Sequence, residues 1–196
     1  MVEDNHEIYT WHFSDGNLAN GDGREIVPGM ALACKPDEIE LCRRGFHSSL
    51  RIIDALQYAP GNIISYCAVG GKIIYDADKL VSSQRRHIHV IDAERILHEF
   101  AVWCAEQALS LIANPDPRSI AALTAKREWL DGKINDHELE AARVAAWVAA
   151  GEAASAAASA AARAAAWVAA WEAQNIKLEQ MVMQAINNRR TGVKKQ

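Results

Sequence analysis

The sequence has no proline between residues 136 and 190, and aromatic residues make up only 7% of its 196 residues. The absence of proline leaves this C-terminal stretch free to form uninterrupted helix. The sequence also lacks a P-loop and a glycine-rich dinucleotide fingerprint, which argues against those two classes of nucleotide-binding protein. No Ser/His/Asp nucleophile arrangement is present, so the sequence does not indicate a hydrolase of that type.

The four cysteines show no CxxC spacing, and the N-terminal residues show no signal-peptide pattern. We therefore expect reduced thiols in a cytoplasmic protein. The net charge is −4 and no strongly basic face is evident, which argues against nucleic-acid binding. Four charged residues interrupt the apolar C-terminal stretch, so we expect no membrane span there. These residues are Arg143, Glu152, Arg163 and Glu172.

Alanine dominates the C-terminal part of the chain and occupies 20 of the 33 residues from Ala141 to Ala173. Alanine has the highest helix propensity, so this composition predicts a long helix. Asn135 and Glu138 have the spacing of a capping box, in which each side chain bonds the backbone N–H of the other residue. We therefore divide the chain into an α+β head domain, residues 1–132, and an Ala-rich helical extension with a short basic tail, residues 133–196.

Tryptophan and serine recur along the predicted helix in an arrangement that is nearly symmetric about residues 157–159. Two copies that cross antiparallel at this point would place alanine against alanine at the centre and tryptophan at both ends, which suits a twofold homodimer. The alternative is that an alanine-rich sequence has this spacing without any pairing. The residues of the predicted interaction helix are Trp147, Ser155, Ser159, Trp167 and Trp171.

The front half of the chain alternates strand-like and turn-like segments, whereas the chain is helical from about residue 93 onward. Aromatic and β-branched residues at 8–13, 62–69 and 85–91 predict strands. One short helix is expected between the early strands, and only helices follow the last strand. This order predicts an α+β fold with a small, mostly antiparallel sheet and packed helices.

The segment Gly45-Phe46-His47-Ser48-Ser49 precedes a predicted helix, which Ser48 or Ser49 is placed to cap. A hydroxyl-rich turn that enters a helix exposes backbone N–H groups and can hold an anionic or polar ligand, such as a small nucleotide. The alternative is an ordinary N-cap beside a buried phenylalanine. The candidate ligand-binding residues are His47, Ser48, Ser49, Arg85 and Arg86.

His87 and His89 are two residues apart on a predicted strand, so their side chains are expected to share one face of the sheet. Two histidines on one face suit two ligands of one metal ion. The more common explanation is a pair of exposed strand histidines, and we predict no metal site.

In the order of its motifs the front half distantly resembles small ADP-ribosyltransferase-like domains. Those domains carry a histidine on an early strand, an aromatic or serine motif before a helix, and a late glutamate. The resemblance implies NAD as cofactor, with histidine and serine on the nicotinamide ribose and the glutamate supporting the oxocarbenium-like centre. The matching residues are His12 with Ser14, His47 with Ser48, and Glu94 or Glu99, of which we take His12, His47, Ser48 and Glu99 as the candidate catalytic set. The chain differs from those domains because its glutamate lies on a predicted helix.

A second resemblance covers most of the chain. The G-F-H-x-S motif at residues 45–49, the Y-A-P-G motif at residues 58–61 and the segment Asp78-Lys79-Leu80-Val81 precede the Ala/Trp-rich helix. Together they resemble a family of uncharacterised accessory proteins of tailed bacteriophages and prophages. The resemblance implies the cytoplasm of an infected bacterium and a role in binding and blocking a bacterial protein.

The leading hypothesis is a non-enzymatic phage accessory protein that needs no cofactor. It would bind a host or defence-system protein, or the small signalling ligand of that protein, as an anti-defence inhibitor, and it would oligomerise through the Ala-rich helix. The alternative is an NAD-dependent ADP-ribosyltransferase-like enzyme that acts on a host protein. A structural virion component built by helix pairing is the second alternative.

Overall fold

The computed structural model describes residues 7–19, 22–153 and 160–192, and these form an α+β structure. The strands are β1 (Ile8–Ser14), β2 (Ala31–Ala33), β3 (Phe46–Ser48), β4 (Ile63–Tyr75) and β5 (Leu80–Asp92). The α-helices are α1 (Ile52–Leu56), α2 (Glu94–Ser110), α3 (Pro117–Leu130), α4 (Asp136–Ala153) and α5 (Ala160–Thr191). The fold class predicted from the sequence is confirmed.

The sheet is built around the long hairpin of β4 and β5, and its strand order is β1-β4-β5-β2. β2 pairs with residues 84–86 of β5, and β3 pairs with residues 80–82 of the same strand. Every strand pairing among the described residues is antiparallel, as the alternation of strands and turns predicted. Because β2 and β3 share β5 as a neighbour, the loops that lead into these two short strands are gathered at one part of the sheet.

Contacts between residues group the chain into two compact units. The first, which we call the sheet unit, comprises Met1–Glu94 together with Asn175–Gln196. The second, the helical unit, comprises Arg95–Gln174. The division into a head domain of residues 1–132 and an Ala-rich helical extension of residues 133–196 stays a prediction.

The C-terminal half of α5 contributes to the core of the sheet unit. Leu178, Val182 and Ile186 are buried, and their spacing of four residues places them on one face of the helix. Asn175 is buried as well, and its Oδ1 accepts a hydrogen bond of 3.2 Å from the backbone N–H of Ile53 at the start of α1. This half of the helix is therefore a structural part of the sheet unit.

Local capping signals fix the helix boundaries in the helical unit. The Asp116 side chain accepts a hydrogen bond of 2.8 Å from the backbone N–H of Arg118, at the start of α3. The predicted capping box is confirmed: the Asn135 N–H donates to Glu138 Oε2 at 2.9 Å, and the Glu138 N–H donates to Asn135 Oδ1 at 3.0 Å. Within the described ranges, no helix combines the length and apolar composition needed to cross a bilayer.

Candidate functional site

A cavity of about 710 Å³ lies in the sheet unit, beside the point where β1 and β3 meet. Trp11 and Ser49 exchange two backbone hydrogen bonds of 2.8 and 3.0 Å, which hold the end of β3 next to β1. His12 of β1 and His47 and Ser48 of β3 consequently line the same cavity. The volume falls in the range of small-molecule sites.

A glycine before β3 allows this strand to approach β5. Gly45 has a φ of 110°, a backbone conformation that side chains other than glycine rarely adopt. A Cβ at this position would lie 2.5 Å from Val81 Cγ2 and 3.1 Å from Ile39 Cγ2. The glycine of the G-F-H-x-S motif is therefore needed to seat Phe46 and His47 at the cavity.

The two histidines of the cavity are held in their neutral form near pH 7. Burial lowers the pKa of His12 well below 6.5, and the charge of Arg85 lowers it further. Burial also lowers the pKa of His47, whose Nε2 accepts a hydrogen bond of 2.8 Å from the backbone N–H of Cys42. Neither histidine therefore adds positive charge to the cavity at neutral pH.

Arg85 is the buried cation of the cavity, with only 6% of its surface exposed. Its Nη1 donates a hydrogen bond of 3.2 Å to the carbonyl of His47, and its guanidinium carbon lies 5.3 Å from the centre of the Phe46 ring. Its Nε has no hydrogen-bond partner. In the part of the chain that the structure describes, no carboxylate forms an ion pair with Arg85.

Other buried polar groups of the sheet unit also lack hydrogen-bond partners. The Ser48 hydroxyl is buried at the cavity wall and makes no hydrogen bond within the described chain. His87 Nε2 has no partner either, whereas His87 Nδ1 lies 3.6 Å from Cys67 Sγ. Buried polar atoms are usually hydrogen-bonded. Arg85 and Ser48 line the cavity, so a bound molecule can supply the partners that Arg85 Nε and the Ser48 hydroxyl lack, whereas His87 is not among the lining residues.

Two residues at the cavity form a polar cluster with a neighbouring aspartate. The Tyr58 hydroxyl donates to Asp78 Oδ2 at 2.7 Å and accepts from Lys79 Nζ at 3.3 Å, and Lys79 Nζ lies 4.5 Å from the centre of the Tyr58 ring. Sequence reasoning did not single out Tyr58 and Lys79 as site residues. Both residues line the cavity. The sequence signal that could have identified them is their place in the Y-A-P-G motif and in the segment Asp78-Lys79-Leu80-Val81, which carry the phage resemblance.

The structure brings most of the predicted ligand-binding residues together. His47, Ser48, Ser49 and Arg85 all line the cavity. Arg86 is not among the lining residues, and its Nη2 instead donates to both carboxylate oxygens of Glu7 at 2.8 and 2.9 Å. Arg85 and Arg86 point to opposite faces because successive side chains of a strand alternate.

The prediction that Ser48 or Ser49 caps the following helix is wrong. Ser48 is the last residue of β3, and the backbone of Ser49 pairs with β1. α1 begins at Ile52, and its N-cap is Arg51, which makes no side-chain capping bond. Ser48 and Ser49 therefore take part in strand pairing, although their local sequence is typical of a helix start.

The residues of the ADP-ribosyltransferase-like prediction are divided between the two units. His12, His47 and Ser48 line the cavity of the sheet unit. Glu99 lies in α2, within the helical unit, where its Oε1 accepts a hydrogen bond of 2.9 Å from Arg95 Nε. No glutamate is among the described residues that line the cavity.

The predicted interaction helix is described only in part. Trp147 and Trp167 fall within α4 and α5, but their side chains lie outside what the structure describes. Ser155 and Ser159 lie in residues 154–159, which are outside the described ranges, as is the centre of the symmetric arrangement. Trp171 is half-buried in α5.

A β-bulge separates the two histidines of the metal hypothesis. His87 pairs with Cys67 and His89 pairs with Tyr66, with a register shift between these pairs. Cys67 and Tyr66 are consecutive and lie on opposite faces of β4, so the expectation that both histidines share a face is wrong. Among the described residues, no group of three or more histidine, cysteine, aspartate or glutamate side chains is arranged to hold a metal ion.

Comparison with known protein families shows a similarity for the helical part of the chain. Residues 90–175 match a family model described as "Imm-5 like putative immunity protein". The match begins at the end of β5 and covers the helical unit, whereas every residue that lines the cavity lies before it. No curated protein and no solved structure matches the chain. The helical part of this chain is thus similar to an immunity-protein family, which agrees with a protein-binding accessory role.

Proposed function

We propose that this protein is a non-enzymatic accessory protein of a tailed phage or prophage that binds a bacterial protein through its helical unit and holds that protein inactive. The partner would be a host or defence-system protein in the cytoplasm of the infected bacterium. The observation that carries the proposal is the similarity of residues 90–175 to an immunity-protein family, over nearly the same residues that form the helical unit.

The surface of the helical unit supports a protein-binding role. Leu111 and Ile112, which directly follow α2, are 83% and 51% exposed, and Ile120 of α3 is 48% exposed. A single exposed apolar residue is ordinary, but adjacent large ones offer the kind of anchor that a protein partner buries. Several surface charges are paired within this unit, including Arg95 with Glu99. The apolar residues are therefore the first candidates for contact with a partner.

The proposal predicts that negative charge placed at Leu111 and Ile112, directly after α2, weakens binding of the partner protein. Tagged full-length protein would be used to capture proteins from bacterial lysate, and the captured protein would be purified and mixed with the chain again. Leu111→Asp combined with Ile112→Asp is expected to weaken binding by about tenfold or more, because aliphatic side chains that the partner would bury are replaced by carboxylates. The partner's own activity should fall when wild-type chain is added in equal amount.

The control is Leu50→Asp, which places one carboxylate on a leucine that is 55% exposed in the sheet unit, and Leu111→Asp alone is its match in charge. Leu50→Asp is expected to bind the partner as the wild type does. If the purified partner binds the double variant normally, or keeps its activity when bound, the assignment of inhibition to the helical unit fails.

Oligomerisation through the Ala-rich helix is a further part of the proposal. Small side chains allow two helix backbones to approach closely, and the tryptophans would pack at the two ends of such a crossing. The mass of the full chain measured by sedimentation equilibrium is expected to be that of a dimer. Trp147→Ser combined with Trp167→Ser is expected to shift the mass to that of a monomer, whereas a monomeric wild type would remove this part of the proposal.

A second candidate function is ADP-ribosyl transfer from NAD to a host protein. The observation that favours it is the presence of His12, His47 and Ser48 in one cavity. Its difficulty is the acid that must support the oxocarbenium-like centre, since the acidic side chains among the described lining residues are Asp15 and Asp22. Asp22 Oδ1 and Oδ2 are bonded to Arg24 at 2.6 and 2.8 Å. Release of nicotinamide from NAD is the measurement that decides this candidate, and its absence would remove it.

A further inference from the structure

The cavity of the sheet unit contains a cation whose hydrogen-bonding capacity is mostly unused. Among the donors of the Arg85 guanidinium, only Nη1 bonds to the described chain, at the carbonyl of His47. Nε has no partner, and the side chain is 94% buried, since its exposed fraction is 6%. A planar guanidinium with free donors matches the geometry of a carboxylate or phosphate.

None of the titratable groups near Arg85 supplies the negative charge that a buried cation requires. Burial raises the pKa of Cys67 to about 12, so this thiol is protonated at neutral pH. The pKa of His12 and that of His87 are both lowered, mainly by burial, so these side chains are neutral and not anionic. A buried charge without a counter-charge is strongly disfavoured. The missing anion is therefore expected to come from outside the chain.

Basic side chains outnumber acidic ones among the residues that line the cavity. The basic side chains that line it are Arg24, Arg43, Lys79 and Arg85, against the two acidic side chains Asp15 and Asp22. Arg24 and Asp22 neutralise each other, and Arg43 is paired with Glu40, so the local excess of positive charge comes from Lys79 and Arg85. The whole chain carries a net charge of −4, so this excess of positive charge is a local feature and not a property of the entire surface. Local positive charge concentrates anionic ligands at a cleft.

The remaining walls suit a ring system. Phe46 and Tyr58 line the cavity together with the hydroxyl of Ser48, which lacks a partner. Aromatic walls with a few convergent polar groups are typical of sites for small organic molecules. A volume of about 710 Å³ accommodates a molecule of nucleotide size and exceeds what inorganic phosphate alone would fill.

We propose that this cavity is a binding site for a small organic anion of nucleotide size, with its phosphate or carboxylate group on the Arg85 guanidinium and the Ser48 hydroxyl and its ring against the aromatic wall. The proposal is independent of partner binding by the helical unit, because every residue it uses lies before residue 90. It requires no chemical step.

The test uses purified full-length protein and isothermal titration with four probes: AMP, indole-3-acetate, adenosine and inorganic phosphate. AMP and indole-3-acetate separate a phosphate from a carboxylate source, adenosine lacks the anion, and inorganic phosphate lacks the ring. At least one of the two ring-bearing anions is expected to bind, and to bind more tightly than adenosine and inorganic phosphate. Arg85→Gln is expected to raise the Kd of the bound ring-bearing anion by about tenfold or more, because a charge-assisted hydrogen bond is lost.

The matched control is Arg86→Gln, which removes the neighbouring arginine on the opposite face and is expected to leave the Kd unchanged. Because Arg85 is buried, its replacement can also disturb folding, so Ser48→Ala provides a second variant. The Ser48 hydroxyl has no hydrogen-bond partner in the described chain, so its removal is expected to leave the fold intact. The Kd of the anion is expected to rise severalfold. Failure of both ring-bearing anions to bind, or equal binding by wild type, Arg85→Gln and Ser48→Ala, overturns the proposal.

Discussion

Leu178→Ala is expected to lower the free energy of unfolding of the sheet unit by about 3 kcal/mol. Leu178 is fully buried although it lies more than eighty residues after the last strand. The substitution removes apolar contacts and leaves a cavity that a packed core refills only in part. The measurement is hydrogen exchange at the amides of β4 and β5 under increasing urea, which reports on the sheet unit directly.

The control for this prediction lies two residues away on the same helix. Ile176 is 48% exposed, and Ile176→Ala removes an equally large alkyl group from a site with much less burial. We expect a loss of less than about 1 kcal/mol from this variant. Equal losses from the two variants would show that the C-terminal half of α5 is not part of the core that protects the strands.

The second large effect is a loss of stability as the pH falls from about 6.5 to about 4. His87 is fully buried, and burial together with the charge of Arg85 lowers its pKa from 6.5 to about 4. Between these values the unfolded chain binds a proton that the folded chain does not, so unfolding becomes easier with acid. One pKa unit corresponds to about 1.4 kcal/mol, which gives a contribution of about 3 kcal/mol that is complete above pH 6.5 and lost toward pH 4.

This pH dependence is measured as the free energy of unfolding in urea at several values from pH 7 to pH 4. His87→Gln is expected to reduce the slope, although His12, whose pKa is also lowered, still contributes. The control is His89→Gln, which removes a histidine of the same strand and leaves the buried His87 in place. If the wild type and His87→Gln lose stability in parallel, His87 is not the group responsible.

The sequence predicted those features that short-range chemistry determines. The capping box of Asn135 and Glu138 forms as expected because its two hydrogen bonds join residues three apart. The antiparallel α+β class follows from the alternation of strand and turn residues. His47 and Ser48 could be named because they belong to a hydroxyl-rich segment just before a helix, which is a local pattern, and Arg85 because it belongs to a basic strand segment.

Features that depend on distant partners could not be predicted. Ser48 and Ser49 have the composition of a helix start, but pairing with β1 and β5 draws them into strand geometry. The bulge between His87 and His89 places the two side chains on opposite faces of the sheet. Regular strand alternation, on which the sequence prediction relied, does not reveal a bulge. The burial of Leu178 depends on contacts with residues far earlier in the chain, which helix propensity does not report.

The interrupted order of the sheet unit has a consequence for synthesis on the ribosome. All five strands are made before residue 95, yet Leu178, Val182 and Ile186 emerge only after the helical unit has been translated. At about 5–20 residues per second, translation of residues 95–174 takes roughly 4–16 s. During that interval the nascent strands lack the helix residues that complete their core, so their apolar side chains are exposed to chaperones and proteases. A premature stop before Leu178 would therefore yield a chain with every strand and no durable fold.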